Sequence, residues 1–232
     1  MHNVPQSPTQ LGVRPAPALV QQLLVGAFGW MFAGLLLTAG VAVLVATSDA
    51  LIETVASLWI VLAIGQIALA IGIQAVINRV SPTVSLGLFF VFAATMGLTI
   101  GVIVTLYTGE SVAAAFVSAS AMFGGAALYG ATTRRELAGL GGILSMGLIG
   151  LFAAMVVNLF LGASPLGWLI SVVGVVLFTV LTAFDVQRIT RGDYAAFAGT
   201  MERASILAAL HLYLNFINLF LFLLRLMGSG RD

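Results

Sequence analysis

Seven apolar stretches follow one another along this chain, each close to the twenty or so residues that a helix needs to cross a bilayer. They run from about Leu23 to Ala46, Ser57 to Ile77, Val84 to Tyr107, Val112 to Thr132, Gly141 to Leu161, Leu166 to Asp185 and Ala204 to Met227. In hydrocarbon every backbone N–H and C=O must be bonded internally, and a helix does this within a single segment. The links between stretches are short and carry turn signals: "SD", "NRVSP", "TGES", "RRE", "GASP" and "RGDY". Composition points the same way. Hydrophobic residues make up 61% of the 232 and charged ones 7%, with a mean hydropathy of +1.15, whereas a soluble domain carries about 25% charged residues. The expectation is an all-α integral membrane protein whose residues 19–232 form one helical membrane domain. The polar, proline-bearing stretch 1–18, "MHNVPQSPTQLGVRPAPA", reads as a disordered tail without the charged start and short apolar core of a signal peptide.

Orientation follows from the arginines, since cytoplasmic loops carry the excess of positive charge. Arg14, Arg79, Arg134, Arg135, Arg188, Arg191 and Arg203 fall on one side of seven crossing segments, and Arg225 and Arg231 on the other. This places the N-terminus in the cytoplasm and the C-terminus outside. All nine cations are arginine and cysteine is absent. Disulfides, thiolate catalysis and cysteine-ligated metals are therefore excluded, as is a retinal-type Schiff base, which needs a lysine amine. With so much Ala, Gly and Val, the lack of lysine fits a GC-rich bacterial genome. A net charge of +1 without a basic patch offers nothing to nucleic acid. The bilayer is the expected partner.

Polar residues inside the spans need a reason, because a charge in hydrocarbon costs several kcal/mol. Asp185, in "LTAFDVQRITRG", ends the sixth span on this reading. There it faces the negative end of the helix dipole, where nature usually places a cation; an exposed helix-end acid is the plainer alternative. In the seventh span, "ASILAALHLYLNFINLFLFLLRLMG", His211, Asn215, Asn218 and Arg225 are spaced four, three and seven residues apart. That spacing puts them on one helical face, directed at the bundle interior or a polar cavity. Gln66, Gln74 and Asn158 read as interhelical hydrogen-bonding groups. The many small residues, as in "GGAALYGATT" and "AATMGLTIGV", read as close helix packing.

At these residues the chain resembles the transmembrane Bax-inhibitor-motif family. "LTAFDVQRI" followed by "ALHLYLNFINLFLFLLRLMG" is similar to its last two helices, and "RRELAGLGGILSMGLIGLFAAMVVNLFL" to its fifth helix and the link before it. The resemblance implies two three-helix layers around a central seventh helix. It also implies a pH-sensitive calcium leak in bacterial relatives and suppression of cell death in eukaryotic ones; some bacterial relatives are linked instead to a membrane-bound AAA protease. The family's leak site is a proton-sharing pair of aspartates. Asp185 matches the first, but the second position is Asn215, in "YLNFIN" where the family usually reads "YLDFIN". Arg79 matches the family's arginine latch, and His211 stands where relatives carry a small residue.

Two adjacent carboxylates hold a proton between them and titrate as a unit. An amide is close in shape to a protonated carboxyl and donates a hydrogen bond from its NH₂, so Asp185 with Asn215 resembles the half-protonated pair permanently. Calcium, which prefers several carboxylate oxygens, then meets one anion instead of two. The expected function is a pH-modulated calcium or cation leak gated near Asp185, with Asn215, Arg79, His211 and Asn218 as pathway residues and Asp185 as the one candidate metal ligand. A non-conducting regulator that binds a membrane protease is the alternative. An enzyme is not expected: aspartyl proteolysis needs two acids, zinc hydrolysis more ligands than His2 and His211, and no "GxSxG" is present. No cofactor is implied beyond calcium as cargo, and the expected location is the bacterial inner membrane.

Overall fold

The computed structural model describes residues 16–229. Most of the stretch read as a tail, together with Arg14, Arg231 and both chain ends, lies outside the described residues. Among the described residues the regular structure is all helical, and seven helices are long and apolar enough to cross a membrane. These are α1 (Pro17–Ala46), α3 (Trp59–Val76), α4 (Pro82–Thr105), α5 (Gly109–Thr132), α6 (Gly141–Leu161), α7 (Ser164–Thr190) and α9 (Met201–Met227). Local chemistry sets their ends. Pro17 and Pro82 stand in the first turns of α1 and α4, where a missing N–H costs nothing. The hydroxyls of Ser81 and Thr108 cap α4 and α5 by accepting from the N–H groups of Val84 and Ser111. At the far end of α1, the Thr47 hydroxyl donates back to the carbonyls of Val43 and Leu44.

Three elements depart from the expectation. The "SD" link contains a nine-residue helix, α2 (Asp49–Ser57), with Asp49 at its favourable N-terminal end and Val55 buried. The "RGDY" link contains another, α8 (Asp193–Ala198), in which Tyr194 and Ala198 are buried. Third, α7 does not stop at Asp185 but continues to Thr190. Val186, Gln187 and Ile189 are all buried, so the extra turn is held by protein contacts that a hydropathy window cannot register. The chain then leaves α7 at Gly192, whose φ of +74° is a left-handed conformation that glycine adopts without steric cost.

The described residues divide into two compact units. The first takes α1 to α4, α8 and the start of α9 as far as Tyr213. Tyr213 is fully buried there, with Phe89 and Phe92 presenting to it edge-to-face. Its hydroxyl lies 2.6 Å from Thr38 Oγ1, which is also 2.9 Å from the carbonyls of Gly34 and Ala93. The second unit takes α5, α6, α7 as far as Arg188, and the remainder of α9 from Leu214. In it Phe216 meets the edges of Phe116 and Phe123. A Cβ at Gly130 of α5 would collide with the carbonyl of Ala183 in α7, so only glycine permits that backbone approach. Each unit thus holds three of the first six spans and part of the last. The last span is the most buried: 78% of its most apolar window is covered, against 44% for α7 and 6% for α3.

Candidate functional site

The buried carboxylate comes first. Asp185 is 4% exposed and stands inside α7, five residues before the helix ends at Thr190. The expectation of a helix-terminal acid opposing the dipole is therefore corrected: its environment is set by side chains. Asn215 of α9, 5% exposed, donates from Nδ2 to Asp185 Oδ2 at 2.8 Å. On the other oxygen, Arg188 Nη1 lies 3.9 Å from Asp185 Oδ1. The same guanidinium stands 5.6 Å from the centre of the Phe184 ring, within cation–π range. Helix geometry brings these together, because residues three and four apart share a face.

Two residues from Asp185, Gln187 uses both ends of its amide. Its Oε1 accepts from the Leu137 N–H, and its Nε2 donates to the Arg135 carbonyl, each at 2.8 Å. It thereby fixes the link between α5 and α6 to α7, above an apolar cluster of Ala126, Leu137 and Ala183 packed by Leu140 and Phe184. Sequence reasoning passed over Gln187, since an amide near a span end reads as an interfacial group. The one available signal was its place inside "FDVQRI", among residues too apolar for a solvated helix end.

The other candidates make their hydrogen bonds with other residues. His211 belongs to the first unit, where Nδ1 is 3.1 Å from the Tyr194 hydroxyl and Nε2 is 3.1 Å from Gln74 Oε1. A carbonyl oxygen only accepts, so Nε2 carries the proton in that contact. Asn218 turns back on its own helix and donates to the Leu214 carbonyl at 2.8 Å. Arg79 is exposed in the link after α3, also in the first unit. Arg225 lies against Gly167, with Asn158 beside the same point. The stripe on α9 is thus one face by spacing but spends its hydrogen bonds at separate places.

Of the polar residues read as interhelical, Gln66 bonds across to the Thr95 carbonyl and the Thr99 hydroxyl, and Gln74 reaches His211. Asn158 differs: its Oδ1 is buried without a partner among the described residues. A cavity of about 450 Å³ opens between α3 and α4, lined by Val61, Leu62, Gly65, Gln66, Ala68, Leu69 and Thr95. It is apolar and contains none of the stripe. Among the described residues no three His, Asp or Glu side chains gather as a metal site. Asp185 with Asn215 can offer one anion and one amide to a passing cation, far short of the six to eight oxygens calcium prefers.

Residues 20–232 match the family model described as Bax1-I, inhibitor of apoptosis-promoting Bax1. The inner membrane protein YbhL of Escherichia coli K12 is 42% identical over 225 residues, covering 94% of this chain and 96% of that one. An uncharacterised protein of Deinococcus radiodurans is 40% identical over 214 residues, 92% of each chain. Another from Borreliella burgdorferi is 38% identical over 218 residues, 91% of this chain and 93% of that one. Matched over nearly its whole length and by relatives of its own size, this multi-pass membrane protein belongs to the Bax inhibitor-1 family.

Proposed function

We propose that this chain is a bacterial inner-membrane protein that lets cations, calcium among them, leak passively past Asp185. One observation carries the reading: a carboxylate 4% exposed inside a membrane-spanning helix. An ionisable residue buried within a membrane-spanning helix is a functional-site candidate by default, and an ion pathway is one of the roles such residues take. A single carboxylate held by one amide would coordinate calcium weakly, which suits a leak, since conduction needs a site that releases what it binds. Protonating Asp185 would remove the only anion of the pair, so pH modulates passage. By spacing on α9, His211 and Asn218 continue the polar face one turn to either side of Asn215, and Arg79 is the latch that the family resemblance implies. The chemistry is transport without bond breaking.

The test is flux into liposomes containing the purified full-length protein, followed for calcium, sodium and protons at several pH values. Asp185→Asn is expected to lower cation flux at least about tenfold, as removing the sole anion of a buried site costs more than about 1.4 kcal/mol. Equal flux through native protein and variant would refute the pathway.

A second reading has its own observation. α3 is only 6% buried, and Ile60, Ile64, Ile67 and Ile71 form one exposed face along it. Such a face suits a partner helix, as a regulator of a membrane-bound AAA protease would need. Native liposomes no leakier than empty ones would favour this reading.

A further inference from the structure

We infer that an anionic phospholipid binds the first unit, with its phosphate on Arg79 and Arg203 and one acyl chain in the groove between α3 and α4. All of these residues belong to that unit, and the site requires no ion passage. Its cationic end is assembled from two parts of the chain. Arg203, in the first turn of α9, donates from Nε to the Val80 carbonyl at 3.0 Å, which lays its side chain on the link between α3 and α4. Arg79 precedes Val80 on that link and is exposed. Neither guanidinium has a carboxylate partner among the described residues; Glu202 is exposed beside Arg203 in the sequence and pairs with neither. A link between two spans lies at headgroup depth, and the planar fork of arginine matches phosphate oxygens. Both arginines fall on the side where the cations of this chain concentrate, and basic pockets between helices on such a side take anionic headgroups.

The apolar end lies along the same two helices. It is the cavity of about 450 Å³ whose wall includes Val61, Gly65, Leu69 and Thr95. Leu69 and Val61 stand seven and fifteen residues before the end of α3 at Val76, roughly 10 and 22 Å along the helix. On α4, Thr95 is thirteen residues past Pro82, roughly 20 Å. One leaflet contributes about half of the roughly 30 Å hydrocarbon core, so a chain descending from a headgroup at Arg79 reaches this groove near the midplane. Gly65 and Ala68 are exposed, which opens the groove toward lipid. Gln66, a polar residue in the wall, commits both amide hydrogens to the Thr95 carbonyl and the Thr99 hydroxyl. The wall therefore offers an alkyl chain no unsatisfied amide donor. Headgroup and tail sites are spaced as the two ends of one lipid.

The experiment counts lipid retained by the purified full-length protein in mild detergent, by native mass spectrometry, with dioleoylphosphatidylglycerol and dioleoylphosphatidylcholine titrated separately. The native chain is expected to keep one phosphatidylglycerol, bound at least about tenfold more tightly than phosphatidylcholine and released as ionic strength rises. Arg79→Gln and Arg203→Gln should each weaken it about fivefold, and the double variant about twenty-five-fold, the scale of arginine at an anionic surface. Gly65→Leu fills the groove without a clash at its Cβ, which would meet nothing within 4 Å. It should weaken retention of the dioleoyl lipid while keeping the preference over phosphatidylcholine. Inorganic phosphate should not displace the lipid. Displacement by phosphate, or full retention by Gly65→Leu, would mean an anion site without a chain groove and overturn the proposal. Equal retention of the two lipids, or native retention by the double arginine variant, would overturn it as well. So would a lipid-free dimer, which would assign the groove to a second copy of the chain. Should Arg203→Gln not yield folded protein, Arg79→Gln decides, because its side chain has no hydrogen bond among the described residues to lose: no weakening there overturns the proposal.

Discussion

A carboxamide where the family carries a carboxylate changes what the pair can do with a proton. Asn215 Nδ2 donates to Asp185 Oδ2 at 2.8 Å, and an amide has no acidic proton to give up. Asn215→Asp would place two carboxylates within hydrogen-bond reach, and they would share one proton at low pH and lose it at high pH as a coupled unit. The expected outcome is calcium binding stronger by about tenfold at high pH, for one added charge-assisted contact worth about 1.5 kcal/mol, and flux that rises steeply with pH. Superimposable flux–pH curves for native and Asn215→Asp would count against any gating role for the pair. This much of the site was legible, because a charge within an apolar run and an asparagine on a spaced polar face both demand partners. The Arg188 seat on Phe184 was not: an aromatic residue in a membrane span looks like any other lipid-soluble side chain until its neighbours are known. For His211 the sequence shows the face but not the partners. Its spacing grouped it with Asn215, yet its two nitrogens face Tyr194 and Gln74, contacts that join segments far apart in the sequence.

Helix boundaries show which physics a hydropathy window captures. The expected and observed limits of α6 coincide at Gly141 and Leu161, where the span is bounded by the "RRE" and "GASP" links and little of it besides Leu144 and Leu151 is buried by protein. The end of α7 was placed five residues short, since "VQRIT" is too polar for lipid while Val186, Gln187 and Ile189 are buried by protein. The short helices α2 and α8 escaped for a related reason: neither is long enough to cross a membrane, so span-counting passes over them. Gln187 also supplies a prediction for the link it fixes. Gln187→Ala would leave the Leu137 N–H without its acceptor and free the Arg135 carbonyl, costing about 1–3 kcal/mol for the buried donor. The measurable results are a lower melting temperature in detergent and faster hydrogen exchange confined to residues 133–140.

At the scale of the whole chain, seven crossings with arginine concentrated on one side predict an N-terminus in the cytoplasm and a C-terminus outside. A reporter fused after Asp232 is expected to be active only on the external side; cytoplasmic activity would overturn this orientation. The number of spans was legible because each segment must satisfy its own backbone in lipid. Two groups of three helices sharing the seventh were implied by the family resemblance, but which spans make up each unit was not legible, since it depends on contacts such as Tyr213 with Thr38 and Phe216 with Phe123. That partition bears on how the protein is made. Both units draw on α9, one as far as Tyr213 and the other from Leu214, and α9 leaves the ribosome after the other six spans. Those six helices therefore enter the bilayer with Thr38 lacking its tyrosine and Asp185 lacking its amide. Translation ending before Met201 would leave both units without their share of α9, so neither can be completed ahead of the other.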